Sequence, residues 1–213
     1  MSRFAVNLGF FERPISVALI WGMATGQWPL AIGVGITFEL FWMDLFPAGT
    51  YIPPHGQAAT VYSLTIAHCM GMYRPWDLLP VVVVALVLAH CWVRLEYWHR
   101  HWQNSHYSQL LQSVRQEHGF FAPERFVARS LVQLFVLNGL VFFLLTQISL
   151  WAFEWLHPLW PAAPFALQWP HVWGVALLGA VAALRTKAAY AVWLTGLVLL
   201  TAAVICLPLP LFL

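Results

Sequence analysis

The apolar positions of this chain fall in long blocks, and the first block is repeatedly broken. From Glu12 to Thr60 almost every residue suits a hydrocarbon environment, yet Gly22, Gly26, Pro29, Gly33, Gly35, Pro47 and Gly49 interrupt the run, and Glu39 lies within it. The apolar pieces 15–27 and 29–46 are each shorter than the roughly 20 residues that a spanning helix needs, which predicts half-helices or steeply broken helices meeting inside the protein. Backbone broken at membrane depth is tolerated only where it is buried in protein or lines a wet cavity. An intramembrane carboxylate also costs roughly 2.5–3.5 kcal/mol on insertion scales. The segment 12–73 therefore reads as a candidate substrate-site region.

The rest of the pattern is more regular. Residues 47–57, PAGTYIPPHGQ, predict a stiff loop, because Pro53-Pro54 removes two backbone donors and Gly56 permits a sharp change of direction. Residues 58–73 predict a short returning helix, and 78–93, LLPVVVVALVLAHCWV, a conventional span. In 94–125, Leu95, Trp98, Trp102, His106, Leu110 and Val114 recur at steps of three and four, the stripe of an amphipathic helix at the cytoplasmic surface. Residues 126–156 predict a tilted span, 172–184 a short helix and 188–207 the last span, so 126–207 supplies the closing helices. The Pro-rich link from His157 to Pro170 separates the first two. The chain contains no convincing internal repeat, so an inverted-repeat partner would be another subunit.

Composition places this pattern in a bilayer. The chain has 213 residues, 61% hydrophobic and 8% charged, too few charges to solvate a soluble surface. Its 13 Trp fit a molecule that meets headgroups on two sides. The reading is an all-α, polytopic integral membrane protein forming a single membrane domain over 1–213. A net charge of +2 gives no argument for nucleic acid. Arg94, Arg100, Arg115, Arg125 and Arg129 mark one side as cytoplasmic, and the Lys- and Arg-free stretch 130–184 puts the Pro-rich link outside. Cys69, Cys91 and Cys206 read as small buried hydrophobes. The N-terminus shows no removable signal peptide.

The run ERPISVALIWGMATGQWPLAIGVGITFELFWMDLFPAGTYIPPHGQAAT resembles the membrane enzyme IIC of the mannose/fructose/sorbose class of the bacterial sugar phosphotransferase system (PTS). The matching motif elements are Arg13-Pro14, Gly26-Gln27, Gly33 through Glu39-Leu40, Trp42-Met43 and Pro53-Pro54-His55, in the family's order and spacing. WVRLEYWHRHWQNSHYSQLLQSV is similar, more weakly, to the family's cytoplasmic segment. The chain departs from the family in Gln27, where an acidic residue is usual, and in His55, where an acidic or amide residue is usual, and the family's first apolar segment is not expected before Arg13. The resemblance implies a multi-pass permease subunit of the bacterial cytoplasmic membrane that moves a hexose inward by an elevator-like motion. Its implied partners are a IID membrane subunit, trimers of the pair, membrane lipid, and IIA and IIB phosphocarriers. Phosphoryl transfer would lie in IIB, so the chain itself has no catalytic residue, cofactor or metal.

Three residues are candidate sugar contacts. Glu39 can accept hydrogen bonds from two neighbouring hydroxyls, and its bland alternative is an ion pair holding two half-helices together. His55 can donate or accept one bond, and the Gln57 amide can do both. Arg13, Pro14, Gly26, Pro53, Pro54 and Gly56 form the structural motif around them. Asp44 is placed at the interface, Asn138 as a helix–helix hydrogen bond, and Gln27 as a side chain that satisfies backbone at the Gly26 break. His99, His101, His106 and His118 lack the spacing of a helical metal pair and read as surface or partner-facing histidines. Two other functions compete with transport. One is a degenerate, partner-stabilising or regulatory subunit of the same family; the other is a membrane haem protein ligated by His68 and His90.

Overall fold

Proline placement sets where the short helices begin. In the computed structural model of the chain, Pro14 and Pro29 lie in the first turns of α1 (Pro14–Thr25) and α2 (Trp28–Phe41), where a missing N–H removes no helical bond. The structure describes residues 13–43, 53–115, 123–161 and 167–206, and every regular element among them is helical. Helices α1 and α2 have 12 and 14 residues. At 1.5 Å per residue they are about 18 and 21 Å long, well short of a bilayer core of about 30 Å. Gly26 joins them into a hairpin. Its φ of 73° is left-handed, and its N–H reaches Gly22 O at 2.9 Å.

Helix α3 (Gly56–Met70) ends in the same way at Gly71, with φ 66°. Helix α4 (Pro75–Arg115) follows, then α5 (Pro123–Leu156), a 3₁₀ turn (His157–Leu159), α6 (Trp169–Ala183) and α7 (Lys187–Cys206). Among the described residues, three stretches are long and apolar enough to cross a membrane: Pro75–Asn104, Ala128–Leu159 and Lys187–Val204. The fold is that of an all-α polytopic membrane protein. The span expected at 78–93 and the amphipathic stretch after it form one continuous helix of 41 residues.

Helix α2 is the centre of the packing and touches α1, α3 and α6, while α3 leans on α4 and α5. Its Leu30, Val34 and Phe38 share a core with Tyr62 and Ile66 of α3 and Val81 and Ala85 of α4. The close approaches use glycine. A Cβ on Gly35 would lie 2.4 Å from that of Ala18, and one on Gly33 only 2.2 Å from the Trp169 ring. Helices α5 and α7 cover little of their apolar surface, leaving Phe135, Phe143, Leu194 and Leu199 for lipid or partner subunits. One end of the molecule is rich in tryptophan, with Trp76 and Trp160 5.7 Å apart and Trp76 Nε1 donating to Pro161 O at 2.9 Å.

The apolar stripe of this stretch points away from the packed helices, and His99, read from sequence as a surface histidine, points into them. Trp98 is 60% exposed and its ring stacks on Trp102, whereas His99 is 2% exposed. The inward row is Ala85, Ala89, Trp92, His99 and Gln103, with Gln103 donating to Ser130 of α5. The expected helix–helix bond of Asn138 is present: Trp92 Nε1 donates to its Oδ1 at 2.9 Å. Cys69 and Cys91, expected to be buried, are exposed because both lie off the packed faces of α3 and α4.

Gly33→Val should displace Trp169 and destabilise the chain by about 1–3 kcal/mol, the usual range for overpacking. Nothing lies within 4 Å of a Cβ on Gly139, so Gly139→Ala should be neutral or stabilising. Thermal unfolding of the two variants in detergent, read beside the parent chain, checks the contrast.

Candidate charged site where the short helices meet

The open end of the α1–α2 hairpin gathers charge. Arg13, the residue before α1, donates from Nη1 to Glu39 Oε1 on α2 at 2.9 Å. The Ile15 N–H, an unpaired donor of the first helical turn, approaches Glu39 Oε2 at 3.4 Å. Glu39 thus closes the hairpin opposite Gly26, held by a guanidinium and a helix N-terminus together. The Arg13 side chain is 46% exposed and that of Glu39 25%, so the pair stays within reach of a ligand.

A second charged group abuts the first. Pro53 and Pro54 are buried and lead into His55, the cap residue of α3. The next residue, Gly56, packs so closely that a Cβ would meet Pro14 Cγ at 2.8 Å and the Trp42 ring at 3.1 Å. The Pro-Pro loop is therefore docked against the start of α1 and the end of α2. His55 Nε2 then pairs with Glu96 Oε2 of α4 at 2.6 Å, and Arg100, one turn further on, donates to Glu96 Oε1. Glu96 lies 21 residues along α4 from Pro75, about 31 Å at 1.5 Å per residue, and so belongs to the end opposite Trp76 and Trp160.

Of the residues expected from sequence, Arg13, Pro14, Glu39, Pro53, Pro54, His55 and Gly56 come together here. Gln57 follows as the second residue of α3 and is half-buried. Gly26 lies at the far tip of the hairpin. Gln27 is also there, but its amide does not serve the local backbone: Nε2 donates to Tyr73 OH at 3.2 Å and Oε1 pairs with His68 Nδ1 at 3.2 Å. The Thr25 hydroxyl does that work instead, donating to Trp21 O and lying 3.4 Å from the Gln27 N–H. Asp44 and the side chains of His106 and His118 lie outside the described residues. Glu96 and Arg100 were missed as site residues; their i, i+4 spacing was the available signal.

The two histidines of the haem reading face different surroundings. His68 is tied to Gln27 and stands edge-on to Trp21 at 6.1 Å. His90 is turned to its own helix, with Nδ1 on Leu86 O at 2.8 Å, and lines an outer groove with Val87, Cys91 and Arg94. His68 does not line that groove.

The arrangement suits an uncharged, hydroxyl-rich ligand. Arg13 balances Glu39 and Arg100 balances Glu96, so no net charge awaits a counter-ion. Each carboxylate has about four acceptor positions, more than its described partners fill. No curated protein and no solved structure matches the chain significantly. A family model, that of the PTS system sorbose-specific IIC component, matches residues 2–165, which is more than half of the chain. The chain therefore belongs to the family of sorbose-specific IIC components of the sugar phosphotransferase system.

Proposed function

We propose that this chain is the permease subunit of a mannose/sorbose-type phosphotransferase complex, and that it binds an unphosphorylated hexose at the Arg13, Glu39, His55 and Glu96 constellation. The hexose moves across the bacterial cytoplasmic membrane and is phosphorylated by a IIB protein that IIA recharges. A IID membrane subunit stands beside the chain, in trimers of the pair. Glu39 and Glu96 accept sugar hydroxyls, and His55 and Gln57 supply the remaining polar contacts. The observation that carries this reading is the pair of charge-balanced carboxylates on neighbouring helix ends, docked through Pro14, Gly56 and Trp42.

A second reading has its own support. Glu39 and His55 already have partners within the chain, as in a subunit that stabilises a complex without transporting. Calorimetry on the chain co-purified with its IID subunit separates the two, screened over mannose, glucose, fructose, sorbose and N-acetylated hexosamines. Saturable binding by one hexose class is expected. Glu39→Gln should weaken it roughly tenfold or more, the worth of a hydrogen bond to a charged group, with assembly intact. Unchanged binding in that variant would return Glu39 to a purely structural role, and silence from an intact complex would favour the second reading.

The Pro-Pro loop generates a separate expectation. His55→Asp restores the family's usual chemistry but sets a second carboxylate against Glu96, so alone it should lower thermal stability. Adding Glu96→His should recover most of the loss, giving a coupling of about 1–3 kcal/mol in the double-mutant cycle. The recovered double variant, returned to the sugar panel, should show a changed preference. An unaltered panel would remove the loop from the substrate site.

A further inference from the structure

The outer face of α4 changes its chemistry along the helix. Val83 and Val87 are exposed on it, and His90, Cys91 and Arg94 follow at steps of three and four, so all five share one face. Leu86, Val87, His90, Cys91 and Arg94 line an open groove of about 480 Å³ there. Beyond Arg94 the face turns aromatic, with Tyr97 and Trp98 exposed. Trp76 and Trp98 are 22 residues apart on this one helix, about 33 Å at 1.5 Å per residue, close to the thickness of a hydrocarbon core. Tryptophans at that separation mark the two headgroup levels. Arg94 therefore lies one turn inside the headgroup level opposite Trp76.

Nothing in the described chain balances this arginine. Arg13 and Arg100 are each paired with a carboxylate, whereas Arg94 makes no ion pair or hydrogen bond among the described residues. No carboxylate lines the groove. Glu96, two residues further on, is turned to His55 and Arg100. A guanidinium at the edge of hydrocarbon is poorly solvated, so it requires an anion from outside the chain. The neighbouring histidine does not supply one. Its Nδ1 lies 2.8 Å from Leu86 O, and a carbonyl only accepts, so Nδ1 carries a ring proton and Nε2 is left for the groove. In its imidazolium form the ring would donate from Nε2 as a second cation, beneath an Arg94 side chain that leans over the preceding turn.

We propose that this groove binds one phospholipid of net negative charge from the leaflet opposite Trp76, with its phosphate on the Arg94 guanidinium and an acyl chain on Leu86 and Val87 toward Val83. The order of the side chains is the order of the lipid. Alkyl groups line the deeper part, the cation stands where phosphates begin, and the aromatic pair lies at the headgroups. The planar guanidinium also matches a phosphate in geometry, since its fork donates two parallel bonds. A soluble phosphate would leave Leu86 and Val87 bare. A zwitterionic lipid would bring its own cation and so leave the positive charge of the groove unbalanced.

The test uses the full chain, with any subunit that co-purifies, in vesicles of equal parts phosphatidylglycerol and phosphatidylethanolamine of matched acyl chains. After mild detergent extraction, native mass spectrometry counts the retained lipids of each type. The parent chain should retain phosphatidylglycerol in preference, and Arg94→Gln should lower that preference roughly fivefold, the worth of one arginine beside an anionic surface. Arg94→Lys, which keeps the charge, should preserve most of it. His90→Glu leaves Arg94 in place but gives it a carboxylate one turn away, so it should lower the preference as well. Two independent variants keep the test decisive if one of them folds poorly. Equal retention of the two lipids by the parent, or an unchanged preference in Arg94→Gln and His90→Glu, would overturn the proposal. Displacement of the lipid by inorganic phosphate would assign the groove to a soluble anion instead. A lipid-free oligomer that Arg94→Gln dissociates would assign it to a protein carboxylate.

Discussion

The fold depends on one carbonyl, that of Gly33. It accepts the Thr37 hydroxyl at 2.7 Å from its own helix and the Trp173 indole N–H at 3.1 Å from α6. The Trp169 ring meanwhile lies flush on the Gly33 α-carbon, where no side chain could fit. This contact ties the broken N-terminal helices to the C-terminal pair across 140 residues of chain. Apolar side chains gain little by leaving lipid for protein, so association in a bilayer depends on close backbone approach and on polar contacts of this kind. Without it α2 would lose its support on the α6 side, and the position of Glu39 would no longer be fixed from two sides.

The charged groups at the open end of the hairpin follow from the same economy of short helices. The orphan N–H groups at the start of α1 need an acceptor, although Arg13 and Met43 leave that end of the hairpin exposed. Glu39 provides it through the Ile15 contact, and Arg13 offsets its charge. Glu96 holds the residue that precedes α3 through the His55 ring, with Arg100 as counter-ion. Neither pair is fully sealed from solvent, so each costs less desolvation than a fully buried pair. The side chains that hold the broken helices together thus keep further acceptor positions.

Much of this was legible in the sequence. Glycine and proline positions marked the broken helices, since their effect on backbone is local, and α1, α2, α3, α6 and α7 lie close to the expected segments. The ion-pair alternative for Glu39 was also readable, because an intramembrane carboxylate must be compensated. The orientation of the second half of α4 was not. His99 read as a surface histidine, yet the inward face continues from Ala85 and Ala89 through Trp92 to His99 and Gln103 at helical spacing. That row turns polar because its neighbours on α3 and α5 are His55, Asn138 and Ser130. Gln27 was misread for a related reason: a local role was assigned where Tyr73 and His68, 46 and 41 residues away, were the real partners.

Helix α2 places the two chemistries of the molecule back to back. Glu39 and Phe41 are two residues apart and so about 200° apart around the helix axis. Glu39 turns to Arg13 and α1, while Phe41 turns to an apolar cavity between α4, α6 and α7, its ring 3.7 Å from where a Cβ on Gly179 of α6 would lie. The polar site and the hydrocarbon site are thus opposite faces of one helical turn, at the end where α2 gives way to Trp42. Whatever occupies the cavity rests on the rear of the turn that presents Glu39, and whatever displaces Arg13 from Glu39 loosens that turn from the front. A single helix of 14 residues thus carries both faces within its last turn.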